Sequence, residues 1–204
     1  TPLSTRAFSK IAFGKRNEGI VAVARFQTDL VTNFKPCPGS PIFILEGIEK
    51  PGNLGAIFRT ADAAGFGGIL ICGKGTDASN PAVIRASLGT VFCMPIACDT
   101  VSAVMQWCMT HKRNIIAATP DGDTHWHAGK LADQPAILLG SEAHGISPLW
   151  LEAANNKKLT LETVALPMHG LADSLNVSAT AAVLAYESLR QREVSPEHPQ
   201  PEST

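Results

Sequence analysis

The chain has no G-x-G-x-x-G after a strand-like run, no G-x-x-x-x-G-K-[ST] and no G-x-S-x-G. These absences disfavour a dinucleotide-binding Rossmann site, a phosphate loop and a nucleophile elbow. The fragment GKGT at 73–76 reads as a surface turn. There is no C-x-x-C pair, and the 5 cysteines are an odd number. Neither a zinc site nor a disulfide framework follows from such a set, and reduced thiols in an intracellular protein are the simpler expectation. His125 and His127 flank Trp126 with no third ligand nearby, so no metal is expected. No apolar run approaches the roughly 18 residues of a membrane span, and the first residues lack a signal-peptide core. A cytoplasmic protein without a membrane partner is expected. Aromatic residues are scarce at 6%, and the formal net charge is −1. That balance excludes a strongly basic nucleic-acid clamp but leaves room for a local basic patch.

What is present suits one domain of ordinary size with some extra material. Hydrophobic residues make up 45% and charged residues 17% of 204, enough to bury a core. Short β-rich runs alternate with helical ones. Ile20–Arg25, Ile42–Leu45, Gly68–Cys72, Asn114–Ala118 and Ala136–Leu139 read as strands, and Leu159–Leu161 and Val164–Leu166 as shorter ones. Helices are expected over Asn53–Ala64 with Asn53 as N-cap, Pro81–Ser87, Val101–His111 and Leu175–Arg190, the last with Ser174 helping to cap it. Alternation of this kind predicts an α/β fold with a largely parallel sheet flanked by helices. KPCPGSP at 35–41 reads as a linker. Residues 193–204, rich in proline, are expected to form a disordered tail.

Three junctions carry the chemistry. In NLGAIFR, a helix opens after a Pro-Gly turn, with Asn53, Gly55 and Arg59 in its first two turns. Gly55 allows a backbone or a ligand to approach closely, and Arg59 could simply pair with Asp62 at i+3. In LLGSEAHGIS, a buried strand ends in Leu139, Gly140 and Glu142, with Gly145 three residues on. Ligands of open α/β sheets sit beyond such strand ends. In LPMHGLADSLNVS, Ser174, Asn176 and Ser178 stand two apart at the mouth of an apolar helix. The NVS triplet also matches a glycosylation sequon, which has no meaning inside a cell.

Together and in this order, the three segments strongly resemble the motifs of the SpoU/TrmH branch of SPOUT RNA methyltransferases. Asn53, Gly55 and Arg59 match N-x-G-x-x-x-R. Leu139, Gly140, Glu142 and Gly145 match L-G-x-E-x-x-G, with Ser141 and Ala143 standing where Asn and Gly are commoner. Leu166, Pro167, Met168, Gly170 and Ser174–Ser178 match the third motif. The resemblance spans about residues 40–190. It implies a deep trefoil knot near the C-terminus, one of the rare exceptions to unthreaded chains, and a homodimer contacting through the knot and last helix. It implies S-adenosyl-L-methionine as cofactor, held by Thr119, Leu139, Gly140, Leu166, Met168 and Leu175. The implied reaction is methyl transfer to a ribose 2′-hydroxyl of rRNA or tRNA. In it Arg59 would engage the hydroxyl or an adjacent phosphate, Asn53 and Glu142 would orient Arg59, and Ser174 and Asn176 would hold the ribose. A catalytically silent relative that only binds RNA and cofactor is the alternative.

Residues 4–26 resemble the last part of a small ribosomal-protein-like domain that often precedes this catalytic domain. Residues 1–35 are therefore expected to be a remnant of an RNA-binding domain plus linker, and 36–192 the methyltransferase domain. Lys10, Lys15, Arg16 and Arg25 make the first segment the most basic, and Lys112 and Arg113 form a second small cluster.

Overall fold

Strands that are apolar on both sides must be covered on both sides, and the short runs of this chain are of that kind. A computed structural model describes residues 2–12 and 19–194. Helix α1 (Thr5–Ile11), capped by the Ser4 hydroxyl, precedes the sheet. Then come β1 (Ile42–Glu46), α2 (Pro51–Ala63), β2 (Ile69–Cys72), α3 (Pro81–Ala86), β3 (Ile96–Asp99), α4 (Val101–Thr110) and β4 (Ile115–Ala118). They are followed by β5 (Thr124–His125), β6 (Ala136–Leu139), α5 (Pro148–Asn155), β7 (Leu161–Ala165) and α6 (Val177–Val194). The 7 strands form one sheet in the order β3-β2-β1-β6-β4-β7-β5, and every pairing between them is parallel.

Side chains alternate across the sheet, and each face has its own core. Phe43, Leu45, Ile69, Ile137 and Leu139 pack with Leu54, Ile57 and Phe58 of α2, Val83 of α3, and Ala181 and Leu184 of α6. Ile42, Ile44, Leu70, Ala136 and Leu138 pack with Val104, Met105 and Cys108 of α4 and Trp150 and Ala153 of α5. Val31 and Phe34 join this second core. The cysteines are free. Burial pushes the Cys108 thiol up to about 12 and the Cys72 thiol higher still, so neither is a nucleophile at neutral pH. No described helix is long and apolar enough to cross a membrane.

Several expectations are corrected. Ile20–Arg25 is not a strand. Strand propensity needs a neighbour to pair with, and β3 at the sheet edge takes only an isolated bridge, Asp29 to Ala97. Ile20 and Val23 are left 85% and 94% exposed. Asn53 is not an N-cap. Proline at the first helical position presets φ, so α2 begins at Pro51 with Lys50 as the cap residue, and the Asn53 side chain is released for other work. The runs at Leu159–Leu161 and Val164–Leu166 give one strand, β7, which pairs continuously with β4 from Leu161 to Val164. Helix α6 runs on through Val194, overlapping the start of the expected tail. The rest of that tail, 195–204, lies outside the described residues, as do Lys15 and Arg16.

Gly55 answers a packing demand. A Cβ there would lie 2.5 Å from the Ala86 Cβ and 2.8 Å from the Ser87 nitrogen and the Val83 carbonyl oxygen, so the backbone that comes close is that of α3. Gly52 has nothing within 4 Å of such a Cβ. Gly55→Ala is expected to destabilise the fold by about 1–3 kcal/mol through overpacking. Gly52→Ala should be neutral or mildly stabilising. Denaturant midpoints of the two variants check the contrast.

Candidate active site

The strand order reverses at β1 and β6. β2 and β3 lie to one side of β1, while β6, β4, β7 and β5 lie to the other. The crevice beyond the carboxyl ends of such a pair is where open α/β sheets bind ligands. Three connections meet there: Gly47–Lys50 leading into α2, Gly140–Ser147 leaving β6, and Ser174–Asn176 entering α6. They border a cavity of about 300 Å³ lined by Gly47, Lys50, Asn53, Glu142 and Val177 among others.

Glu142 is the meeting point. Its Oε1 accepts hydrogen bonds from Asn53 Nδ2 at 2.9 Å and from Asn176 Nδ2 at 3.1 Å. The Asn176 amide also donates to Asn53 Oδ1 at 3.1 Å. Lys50 Nζ pairs with Glu142 Oε2, and the Val177 backbone N–H donates to the same carboxylate. The Lys50 hydrogen bond holds the Glu142 carboxyl below its ordinary range; burial opposes it, and the Lys50 charge and the Asn53 bond add to the lowering. The group is therefore a carboxylate at neutral pH and no proton donor.

The loop that carries Glu142 is itself tightly folded. Ser141 and Gly145 exchange backbone hydrogen bonds at 3.0 Å in both directions, and the His144 N–H donates to Ser141 Oγ at 3.0 Å. Gly145 has φ +65°, and a Cβ on Gly140 would lie 2.2 Å from the Gly145 carbonyl carbon. Both glycines of the second motif are thus required by the turn. At the end of the loop, buried Glu46 accepts from the Ser147 N–H at 3.1 Å and from Trp150 Nε1 at 2.8 Å. That pair of bonds ties the loop and α5 back to the end of β1.

Asn53, Glu142 and Asn176 are therefore brought together as the motifs suggest. Arg59 is not among them. It lies on α2 six residues beyond Asn53, about 9 Å along the axis, exposed and without an ion-pair partner among the described residues. Asn53 and Glu142 bond to each other and do not orient it. Ser174 does not cap α6; its hydroxyl meets only the Asp173 side chain, at 3.4 Å. The cap is Asn176, whose Oδ1 accepts from the Ser178 N–H at 3.0 Å and the Ser178 hydroxyl at 2.6 Å. Thr119, Leu139 with Gly140, and Leu166 with Met168 lie at the carboxyl ends of β4, β6 and β7, which are adjacent in the sheet. Leu139 is 1% exposed, so only its backbone can meet a ligand. Leu166 and Met168 are half-buried, and Leu175 is 41% exposed. Among the described residues no group of three or more His, Cys, Asp or Glu could hold a metal ion.

Lys50 and Glu46 were missed by the sequence reading. A signal existed for each. Pro51 fixes the helix start and so sets Lys50 one turn before Asn53, and Glu46 is a carboxylate closing an otherwise apolar strand.

Residues 40–186 match the SpoU rRNA Methylase family. A 23S rRNA (uridine(2479)-2′-O)-methyltransferase of Streptomyces viridochromogenes is 28% identical over 88% of this chain and 63% of its own length. A crystal structure of an RNA 2′-O ribose methyltransferase superposes with a TM-score of 0.71 at 41% identity, over 79% of this chain and 60% of the other. The SpoU methyltransferase AviRb of S. viridochromogenes, solved with the cofactor AdoMet, gives a TM-score of 0.73 at 27% identity, over 83% of this chain and 67% of the other. The chain thus spans less than two thirds of the first two of these relatives.

Because the folded-state pKa of Glu142 is depressed, its stabilising contribution is fully present above the ordinary carboxylate range. It is lost as pH falls through the depressed value. The stability advantage of the wild type over Glu142→Gln should be constant from pH 8 to about 6 and shrink as pH falls below the ordinary carboxylate range. Urea midpoints across pH for the two proteins measure it.

Proposed function

The chain belongs to the SpoU rRNA Methylase family, and from that membership and the geometry of the site we propose that it methylates RNA, moving a methyl group from S-adenosyl-L-methionine to a ribose 2′-hydroxyl of rRNA or tRNA. The observation that carries the reading is the convergence of Asn53, Glu142 and Asn176, one residue from each motif, in a single hydrogen-bonded cluster at the switch point of the sheet.

The cofactor fits the chemistry of the neighbouring strand ends. Thr119, Gly140 and Leu139 offer backbone amides and carbonyls that can read an adenine edge, while Leu166, Met168 and Leu175 offer apolar side chains left partly uncovered. When bound, S-adenosyl-L-methionine supplies an electrophilic methyl group. The protein's part is to hold the attacking oxygen in line with it. Glu142 already accepts from Lys50, Asn53, Asn176 and Val177, and a carboxylate so engaged is a poor base. Its role is to fix the two asparagine amides. Asn176 and Ser174, at the mouth of α6, hold the ribose. Arg59 stays protonated, and its exposed, uncommitted guanidinium suits bidentate contact with the phosphate next to the target ribose, or donation to the hydroxyl itself. The methyl–sulfur bond of the cofactor would break as the oxygen takes the methyl group, releasing the neutral thioether, and the hydroxyl proton would leave to water.

The same reading extends to the fold. The C-terminal segment is a deep trefoil knot, and its support is the way α6 fastens to the segment before β6. Ser188 Oγ donates to the Leu131 carbonyl at 2.7 Å, and Gln191 Oε1 accepts from the Leu131 N–H at 2.9 Å. The protein works as a cytoplasmic homodimer through this region, where Leu171, Leu175 and Tyr186 are exposed. Residues 1–35 are the remnant of an RNA-binding domain with its linker, and residues 36–192 are the methyltransferase domain.

Methyl transfer from labelled S-adenosyl-L-methionine to total RNA, with the product mapped, is the test. A ribose 2′-O-methyl at a defined nucleotide is expected, whereas cofactor binding without transfer would leave a catalytically silent relative. On the mapped RNA, Arg59→Ala should lower kcat by about a hundredfold or more and Glu142→Ala by less, on the scale of a lost positioning contact. Equal rates for Arg59→Ala and wild type would remove Arg59 from the mechanism.

A further inference from the structure

A second cavity, of about 520 Å³, opens at the other end of the sheet. It borders the amino ends of β4 and β6 and is lined by Lys35, Trp107, His111, Lys112, Arg113 and Asp133 among others. At its centre is a stack of rings. Trp107, buried at 7% exposure, meets Phe34 edge-on at 5.2 Å. His111 lies over it with centroids 4.1 Å apart and planes within 23°. The His111 ring is fixed by a 2.8 Å hydrogen bond between Nδ1 and the Trp107 carbonyl. It is the outermost ring of the stack, and it is exposed.

The cations around it differ in how far they are committed. Arg113 lies 5.8 Å from the Trp107 ring centre. Its Nη1 donates to the Ser40 and Gln134 carbonyls at 3.1 and 3.0 Å, and Asp133 answers its charge. Arg113 is thus a wall of the cavity. Lys35 and Lys112 are exposed and have no ion-pair partner among the described residues. Lys112 has φ +50°, in the left-handed position after a helix that glycine fills at less cost. A positively charged rim beside an open, pre-fixed ring is what a nucleotide requires: the ring takes the face of a base, and the ammonium groups take its phosphate.

We propose that this cavity is a second, non-catalytic nucleotide site, in which a base stacks on His111 and its phosphate lies between Lys35 and Lys112. The nucleotide could be free or part of an unpaired RNA strand; the choice of RNA rests on the methyltransferase reading. An RNA held here is gripped about 15 Å or more from the candidate active site, at the far ends of the strands. Substrate binding and methyl acceptance are then separable.

The probes are single-stranded hexaadenylate and AMP, titrated against the full chain by fluorescence anisotropy and calorimetry. His111→Ala should weaken hexaadenylate binding by about tenfold, the scale of one base stacked on an aromatic ring. Lys35→Ala/Lys112→Ala should also weaken it, and should lower the slope of log K against log salt by about 0.7, the value for one phosphate contact on a single strand. Thermal midpoints of the lysine variant, altered only at exposed positions, should match the wild type. If AMP binds with the same sensitivity to both variants, the ligand is the nucleotide itself. If only hexaadenylate does, it is a strand. Equal affinity of wild type and both variants for both probes overturns the proposal, even where methyl transfer to RNA is observed. If no RNA is methylated but nucleotide binding depends on His111 and the lysines, the second site stands and the methyltransferase reading fails.

Discussion

One carboxylate gathers three parts of the chain that are distant in sequence. Glu142 leaves β6 on a tight loop and accepts from Lys50 and Asn53 at the start of α2 and from Asn176 and Val177 at the start of α6. Hydrogen bonds to a charged acceptor are about twice as strong as neutral ones, and here they do more than add stability. Without them, the mouths of α2 and α6 would be joined by the single bond from the Asn176 amide to Asn53 Oδ1, with the packing of the two helices behind it. The cluster is polar and partly wet, so its worth lies in fixed geometry more than in gross energy.

Everything around the cluster makes that geometry possible. A sheet covered on both faces places its strand ends rigidly, and the reversal of strand order at β1 and β6 leaves a crevice between them. Gly55 lets α3 close against α2, and Gly140 and Gly145 let the Glu142 loop turn back on itself. Buried Glu46 then clamps the far end of the loop through Ser147 and Trp150. Two glutamates at the ends of adjacent strands thus do different work. One anchors the loop from below, and the other presents its acceptor atoms to the site.

Much of this was legible in the sequence. The strands of the sheet centre are short apolar runs with no competing helical period, and IFIL and AILL were read within a residue of their bounds. The three residues that meet, Asn53, Glu142 and Asn176, each stand in one of the sequence motifs. What failed did so for want of tertiary context. IVAVAR has the alternation of a strand but pairs with no neighbour; the β3 edge takes only the bridge at Asp29 among the described residues. IACD, mixed in polarity, becomes β3 because β2 lies beside it. Asn53 suits a cap by residue type, but Pro51 two residues earlier starts the helix. Ser174 and Asn176 are both plausible caps by type, and only the backbone decides for Asn176. The roles given to Arg59 and its neighbours came from resemblance. In the single chain, Arg59 stands apart from the cluster that was expected to orient it.

The central claim is that Glu142 makes the asparagine amides of α2 and α6 act as one unit in methyl transfer. A double-mutant cycle between Glu142→Gln and Asn176→Ala, read as kcat on the mapped RNA, tests it most directly. If the claim holds, the double variant loses about as much rate as the worse single variant, because either change already breaks the unit. Losses that simply multiply would mean that the two residues act independently, and would contradict it.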